Sequence, residues 1–132
     1  MVIQDTWTGN DAIAGGNGRD TVDYSKLIPP GYDIIYLVAN LFSHSISKFI
    51  YGVCGGIDSI SSVEKIIGSR GSDSISGGDV AITLHGNDGN DTLGGSSSGD
   101  DWLDGGAGSD SLIGYAGRDS LNGLDGNDVS IA

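Results

Sequence analysis

A nine-residue period constrains this chain more than any other feature. Read from residue 86, the sequence divides into GNDGNDTLG (86–94), SSSGDDWLD (96–104), GGAGSDSLI (105–113), GYAGRDSLN (114–122) and GLDGNDVSI (123–131), with Gly95 inserted between the first two. The fourth residue is Gly and the sixth Asp in every unit; the eighth is Leu in four of them and Ser130 in the last. The same frame appears in TWTGNDAIA (6–14), GGNGRDTVD (15–23) and GSRGSDSIS (68–76). GGDVAITLH (77–85) keeps the aliphatic eighth position but carries Val80 for Gly and Ile82 for Asp. VCGGIDSIS (53–61) is a looser match that ends in Asp58 and Ile60. A short fixed period implies units that cannot bury a face alone and must stack on their neighbours.

Each unit has its own local logic. Gly at the fourth position permits a turn that a Cβ would resist. The x-aliphatic-x stretch after the Asp is one short strand with its middle side chain turned to one face. Loop plus strand turns the chain by half a circle, so two units make one coil and successive coils stack as parallel strands about 4.8 Å apart. Leu93, Leu103, Leu112 and Leu121 then line a thin interior. The expected fold is all-β, a parallel β-roll (β-solenoid). Composition excludes the alternatives. With 24 Gly a helical bundle is untenable, and with two Pro and no Gly-x-y period so is a collagen helix. The 37% hydrophobic content argues against disorder.

Stacking creates an electrostatic problem. Asp supplies 17 of the 18 acidic residues, Glu64 being the other, and the net charge is -12. That balance argues against nucleic acid and anionic membrane surfaces as partners. Loop n lies beside loop n+2, which brings aspartates such as Asp91 and Asp110 within a few ångströms. Two charges about 5 Å apart repel by about 3 kcal/mol at an effective dielectric near 20. Several such pairs outweigh a thin core, so a cation between them is required. Carboxylates and loop carbonyls are hard oxygen donors and suit Ca²⁺. Zn²⁺ and Cu²⁺ want His or Cys, and the chain has only His44, His85 and Cys54. Mg²⁺ prefers to keep its waters, and no EF-hand loop with its twelfth-position Glu occurs.

The units GGNGRD (15–20), GGAGSD (105–110) and GNDGND (86–91) resemble the RTX, or haemolysin-type, calcium-binding nonapeptide G-G-x-G-x-D-x-U-x. Residues 20–25 (DTVDYS) and 61–69 (SSVEKIIGS) resemble the lead-in and lead-out of an insert between RTX repeat blocks of secreted bacterial proteins. The resemblance implies a parallel β-roll binding several Ca²⁺ ions. One loop would give the carbonyls of its first and third positions and its Asp; the facing loop would give those of its second and fourth and its Asp. Loop 86–91 then offers Gly86, Asp88 and Asp91 to loop 105–110, with Gly106, Gly108 and Asp110. Loop 105–110 offers Gly105, Ala107 and Asp110 to loop 123–128, with Leu124, Gly126 and Asp128. Loop 96–101, through Asp101, faces loop 114–119 with Gly114, Ala116, Gly117 and Asp119. Loop 68–73, through Asp73, pairs with 86–91 as a fourth site, whereas loop 77–82 departs from the motif and is not expected to share a site with 96–101. Asp11 and Asp20 sit in adjacent loops on opposite sides, and their partners must come from the insert. Asp110 touches two sites, so Asp110→Ala is expected to weaken folding more than Asp58→Ala.

The chain is expected to be one continuous domain: repeats 1–23, a β-rich insert 24–67 and repeats 68–132. Pro29-Pro30-Gly31 reads as a turn, and Tyr32–Phe42 and Ile46–Val53 read as strands. The insert reads as a larger, more apolar stretch of the same sheet, or as a ligand-binding protrusion, with Ile66 and Ile67 re-entering the coil. Catalytic chemistry is not expected. No P-loop, H-E-x-x-H or G-x-S-x-G is present. His85, in an outward position, reads as solvated, and Trp7 and Trp102, at loop–strand junctions, as surface or partial-core packing rather than a carbohydrate platform. No N-terminal signal peptide or membrane span is legible. The resemblance instead implies type I secretion to the extracellular space. The alternatives are a fragment of a larger RTX protease, lipase or haemolysin whose catalytic or toxin domain lies elsewhere, which the repeat-final C-terminus favours, or an adhesin or surface-matrix module.

Overall fold

A computed structural model describes residues 2–4, 9–26, 35–50 and 53–132. The Pro29-Pro30-Gly31 turn, Trp7 and the start of the Tyr32–Phe42 stretch lie outside these. Among the described residues there are fourteen strands and no helix. They are β1 (Val2–Gln4), β2 (Ala12–Ala14), β3 (Thr21–Asp23), β4 (Ile35–Asn40), β5 (Ser45–Ile50), β6 (Val53–Ser61) and β7 (Lys65–Ile67). There follow β8 (Ser74–Ser76), β9 (Thr83–Asp88), β10 (Thr92–Gly94), β11 (Trp102–Ala107), β12 (Ser111–Ile113), β13 (Ser120–Asp125) and β14 (Val129–Ile131). Successive repeats alternate between two sheets, ordered β1-β3-β7-β9-β11-β13 and β14-β12-β10-β8-β4-β5-β6-β2. This is the parallel β-roll that the period demands.

Register confirms two units per coil. Leu84 pairs with Ile66, Leu93 with Ile75, and Leu103 with Leu121, each 18 residues apart. Leu84 to Leu103 and Leu93 to Leu112 are 19 apart, because both steps cross the inserted residue. The insertion is absorbed within the loop. Gly95 N–H donates to Ile113 O as Gly114 N–H does to Ile131 O, which puts Gly95 in the first loop position and makes loop 95–101 one residue longer. The eighth-position aliphatics Ile13, Val22, Ile66, Ile75, Leu84, Leu93, Leu103 and Leu112 form one buried column with Tyr24, Leu37, Ile46 and Ile60. Leu121 is partly buried against it.

Two features differ from the uniform roll. β9, β11 and β13 are six residues long, because their ladder continues through the first three loop positions, with Gly106 paired to Asn87 and to Leu124. The insert also contains antiparallel pairing. β5 runs antiparallel to β4 and β6, while β4 is parallel to β8 and β6 to β2. The nonapeptide match VCGGIDSIS therefore folds as the single strand β6, with Asp58 inside it. Val22 and Ile66 stand opposite each other in β3 and β7, so Ile66 re-enters the coil.

Candidate metal site

The sixth-position aspartates are built into the backbone ladder. Asp73 N–H donates to Asp91 Oδ1 (2.7 Å), Asp91 N–H to Asp110 Oδ1 (2.8 Å) and Asp110 N–H to Asp128 Oδ1 (2.9 Å). On the other side Ile82 N–H donates to Asp101 Oδ1 (2.8 Å), and Asp101 N–H to Asp119 Oδ1 (3.0 Å). Loops 68–73, 86–91, 105–110 and 123–128 thus stack in one column, and 77–82, 95–101 and 114–119 in the other. Asp73, Asp91, Asp101 and Asp110 are buried. Asp119 and Asp128 are half-buried, and Asp88 and Leu124 expose their side chains.

One oxygen per aspartate is used by the ladder; the other separates the loops into two kinds. Oδ2 of Asp91 and Oδ2 of Asp110 are buried without a hydrogen-bond partner. In loops 68–73 and 95–101 a serine supplies that partner. Ser69 donates its N–H to Asp73 Oδ2 (2.7 Å) and its hydroxyl to Oδ1 (2.7 Å). Ser96 donates its N–H to Asp101 Oδ2 (2.6 Å) and its hydroxyl to the same carboxylate. The difference lies in the backbone at the second loop position. Asn87, Gly106, Tyr115 and Leu124 have φ of 81°, 105°, 71° and 69°, the left-handed region. The serines stay outside it, so their amides face the carboxylate.

The loops also leave room. A Cβ at Gly86 would meet Asp91 Oδ2, and one at Gly105 would meet Asp110 Oδ2. First-position glycine therefore makes the cradle into which each carboxylate turns. At Gly108, with φ of 142°, a Cβ would strike the carbonyl of Gly89 in the preceding coil. Ala107 O accepts from Gly89 N–H at 2.8 Å and keeps its second lone pair.

Burial sets the charge state. It pushes the Asp91 carboxyl up to about 7, with the Asp73, Asp110 and Asp88 charges adding to the rise and the hydrogen bond from Asp73 N–H opposing it. Burial pushes Asp73 up to about 6, opposed by its bonds from Ser69 and Leu37. It raises Asp110 too, against the bond from Asp91 N–H and with help from Asp128 and Asp104. For an acid raised above its unfolded value of 3.8, the stabilising contribution is complete below that value and is lost as pH climbs through the folded one. Without metal, the ordered fraction should rise on acidification from about pH 7.5 to about pH 5, followed by circular dichroism in EDTA. A flat or falling signal contradicts this.

These residues fit a hard divalent cation. Among the described residues, no three His, Cys, Asp or Glu side chains gather as a metal-holding group. The carboxylates come as stacked pairs, so an ion between them would draw its remaining ligands from loop carbonyls. Two buried acceptors without donors, in a space that only glycine leaves open, suit oxygen-seeking Ca²⁺. His85 is not simply solvated: it is partly buried, with Nδ1 3.7 Å from Asp104 Oδ2 across the strand pair. Burial and the nearby Lys65 lower its pKa.

The N-terminal aspartates find other partners. Asp20 N–H donates to Glu64 Oε2 (2.9 Å), so Glu64 takes the place of the next coil's aspartate. Asp11 N–H donates to Asp58 Oδ1 (3.1 Å), and Lys48 Nζ reaches both carboxylates. Asp58, fully buried, also accepts from Tyr24 OH (2.8 Å). The expectation that Asp58 matters less than Asp110 is therefore revised: its removal would strand a buried lysine. Sequence reasoning missed Lys48, Glu64, Ser69 and Ser96. The signals were present: Lys48 shares the inward parity of Ile46, and serine interrupts the Gly-rich loop starts.

Among the described residues no helix is long and apolar enough to cross a membrane, which says nothing of strands. No curated protein matches the chain. The family model of the RTX calcium-binding nonapeptide repeat, a non-catalytic calcium-binding module, matches residues 7–25, 61–79, 83–97 and 95–129. These segments span more than half of the sequence and contain each aspartate of the two stacked columns; the chain belongs to the RTX calcium-binding nonapeptide repeat family.

Proposed function

We propose that this chain is a calcium-responsive folding module of a secreted bacterial protein. The observation that carries the reading is the pair of buried, partnerless oxygens, Asp91 Oδ2 and Asp110 Oδ2, in adjacent coils of one column. The primary sites are the spaces between loops 86–91 and 105–110 and between loops 105–110 and 123–128. Asp91 and Asp110 hold the first, Asp110 and Asp128 the second, with the carbonyls of Gly86, Asp88, Gly106 and Gly108, and of Gly105, Ala107, Leu124 and Gly126. A bound Ca²⁺ supplies positive charge there. Asp101 with Asp119 forms a weaker site, because Ser96 already satisfies Asp101.

The chain's own residues set the response. Without metal, the -12 charge opposes compaction and the raised carboxyl groups must take up protons to be buried. Where free Ca²⁺ is scarce the repeats 68–132 stay open. Where it reaches the roughly 10⁻⁴–10⁻³ M range of extracellular sites, they close. Each occupied site adds RT ln(1 + [L]/Kd), and sites sharing Asp110 make the transition steep. Family members occur in proteins exported by bacterial type I systems, which supports an extracellular location. The working division is repeats 1–23, insert 24–67 and repeats 68–132 in one continuous domain.

Circular dichroism during a Ca²⁺ titration, repeated with Mg²⁺, tests this. A β signal should rise with Ca²⁺, fall back on chelation and respond far less to Mg²⁺. A chain equally ordered after exhaustive EDTA dialysis would overturn the reading.

A further inference from the structure

The first coil repeats the backbone geometry of the aspartate column with a different charge at its centre. Asp11 N–H donates to Asp58 Oδ1, and Ser59 N–H donates to Asp11 O (2.7 Å). These are the counterparts of Asp91 N–H to Asp110 Oδ1 and of Ser111 N–H to Asp91 O (2.8 Å). In the C-terminal pair the second carboxylate oxygens lack a donor. In the N-terminal pair Asp11 Oδ2 also accepts no hydrogen bond, but Lys48 Nζ lies 3.6 Å from it and 2.8 Å from Asp58 Oδ1. Lys48 is 2% exposed and Asp58 0%. A buried ammonium costs several kcal/mol in lost hydration unless it is paired and hydrogen-bonded, and here it is.

The insert is built to deliver this charge. Lys48 follows Ile46 on the inward face of β5. In the ladder it stands between Leu37 of β4 and Gly56 of β6. Gly56 presents no side chain, and a Cβ there would collide with the carbonyl of Gly9. The missing side chain at Gly56 lets the backbone of Gly9, in the loop that carries Asp11, approach β6, while Tyr24 OH holds the far oxygen of Asp58. Two carboxylates that the repeat frame brings together thus already share one positive charge supplied from within the chain, and a donor set with an ammonium at its centre does not fit a metal ion.

We propose that the Lys48 ammonium replaces calcium between Asp11 and Asp58, so that the coil formed by residues 9–14, 21–24, 45–50 and 53–61 closes without metal. Calcium then controls only the C-terminal repeats, which stack onto a preformed template. The second half of this statement rests on the function proposed above; the first half does not.

Hydrogen–deuterium exchange with peptide resolution on the full chain, in EDTA and in saturating Ca²⁺, tests it. In EDTA, the amides of β2, β5 and β6 should stay protected while those of β10 to β14 exchange freely. Lys48→Met should speed exchange in β2, β5 and β6 in EDTA on the order of a hundredfold, as for a broken buried ion pair. Lys48→Met/Asp58→Asn removes both charges, keeps an acceptor oxygen for Asp11 N–H and offers its amide N–H to the Tyr24 hydroxyl oxygen, and should recover most of the protection. The proposal is overturned if the wild-type N-terminal strands lose protection at the same calcium concentration as the C-terminal ones, or if Lys48→Met matches wild type. It is equally overturned if the double variant stays as unprotected as the single, since packing rather than charge would then be responsible. Protection of β10 to β14 in EDTA would instead refute the calcium reading and leave the Lys48 assignment standing.

Discussion

Asp110→Asn raises the calcium concentration needed for folding more than the same change at Asp91 or Asp128. Asp110 receives the N–H of Asp91 on one side and donates its own to Asp128 on the other, so its carboxylate borders two proposed sites. Asn keeps an acceptor for the Asp91 N–H and removes the charge. With calcium at tenfold over Kd, each site contributes about 1.4 kcal/mol, so two together contribute about 3 kcal/mol. Asp91 and Asp128 each border one such site, because Ser69 already closes loop 68–73 on its own aspartate. Urea midpoints measured across a calcium series should therefore lose most of their calcium dependence in Asp110→Asn and about half in Asp128→Asn. In EDTA the order should change sign: removing a buried charge held up by desolvation makes the metal-free variant no less stable than wild type. Equal loss in Asp110→Asn and Asp128→Asn would reject the shared-ligand arrangement.

What the sequence disclosed followed from its periodicity. Phase alone fixed the 18-residue coil, the inward aliphatics from Ile75 to Leu112 and the column of stacked aspartates, because a strand's side-chain alternation and a glycine turn leave no other register. The frame did not disclose what each carboxylate touches. Asp73 and Asp91 occupy the same unit position, yet one is satisfied by Ser69 and the other is not. That distinction depends on a peptide orientation at the second loop position, where Asn87 takes a positive φ that suits it and Tyr115 and Leu124 take one against their usual preference. The insert was legible as β but not in direction. VCGGIDSIS matches the repeat as a string, and only its antiparallel pairing with β5 places Asp58 beneath Lys48. Long-range partners such as Glu64 for Asp20, 44 residues apart, carry no local signal.

Asp58→Ala should destabilise the chain by about 3–5 kcal/mol, and by the same amount with and without calcium. The carboxylate is fully buried and accepts three bonds: from Lys48 Nζ, from Tyr24 OH and from Asp11 N–H. Alanine removes the acceptor for all three at once. It leaves a lysine that is 2% exposed without its nearer counter-charge and a buried phenol without its acceptor. Asp11 Oδ2 lies 3.6 Å from the ammonium, too far for a hydrogen bond, and compensates poorly. Calcium cannot rescue the loss, because the defect is an unpaired positive charge and a second cation would add to it. Asp58→Asn should cost less than Asp58→Ala, since the amide oxygen can still accept from Asp11 N–H or Tyr24. Urea unfolding in EDTA and in saturating calcium measures both variants. A calcium-dependent deficit at Asp58, parallel to that at Asp110, would mean that the first coil holds metal after all and that the ammonium is not its counter-charge.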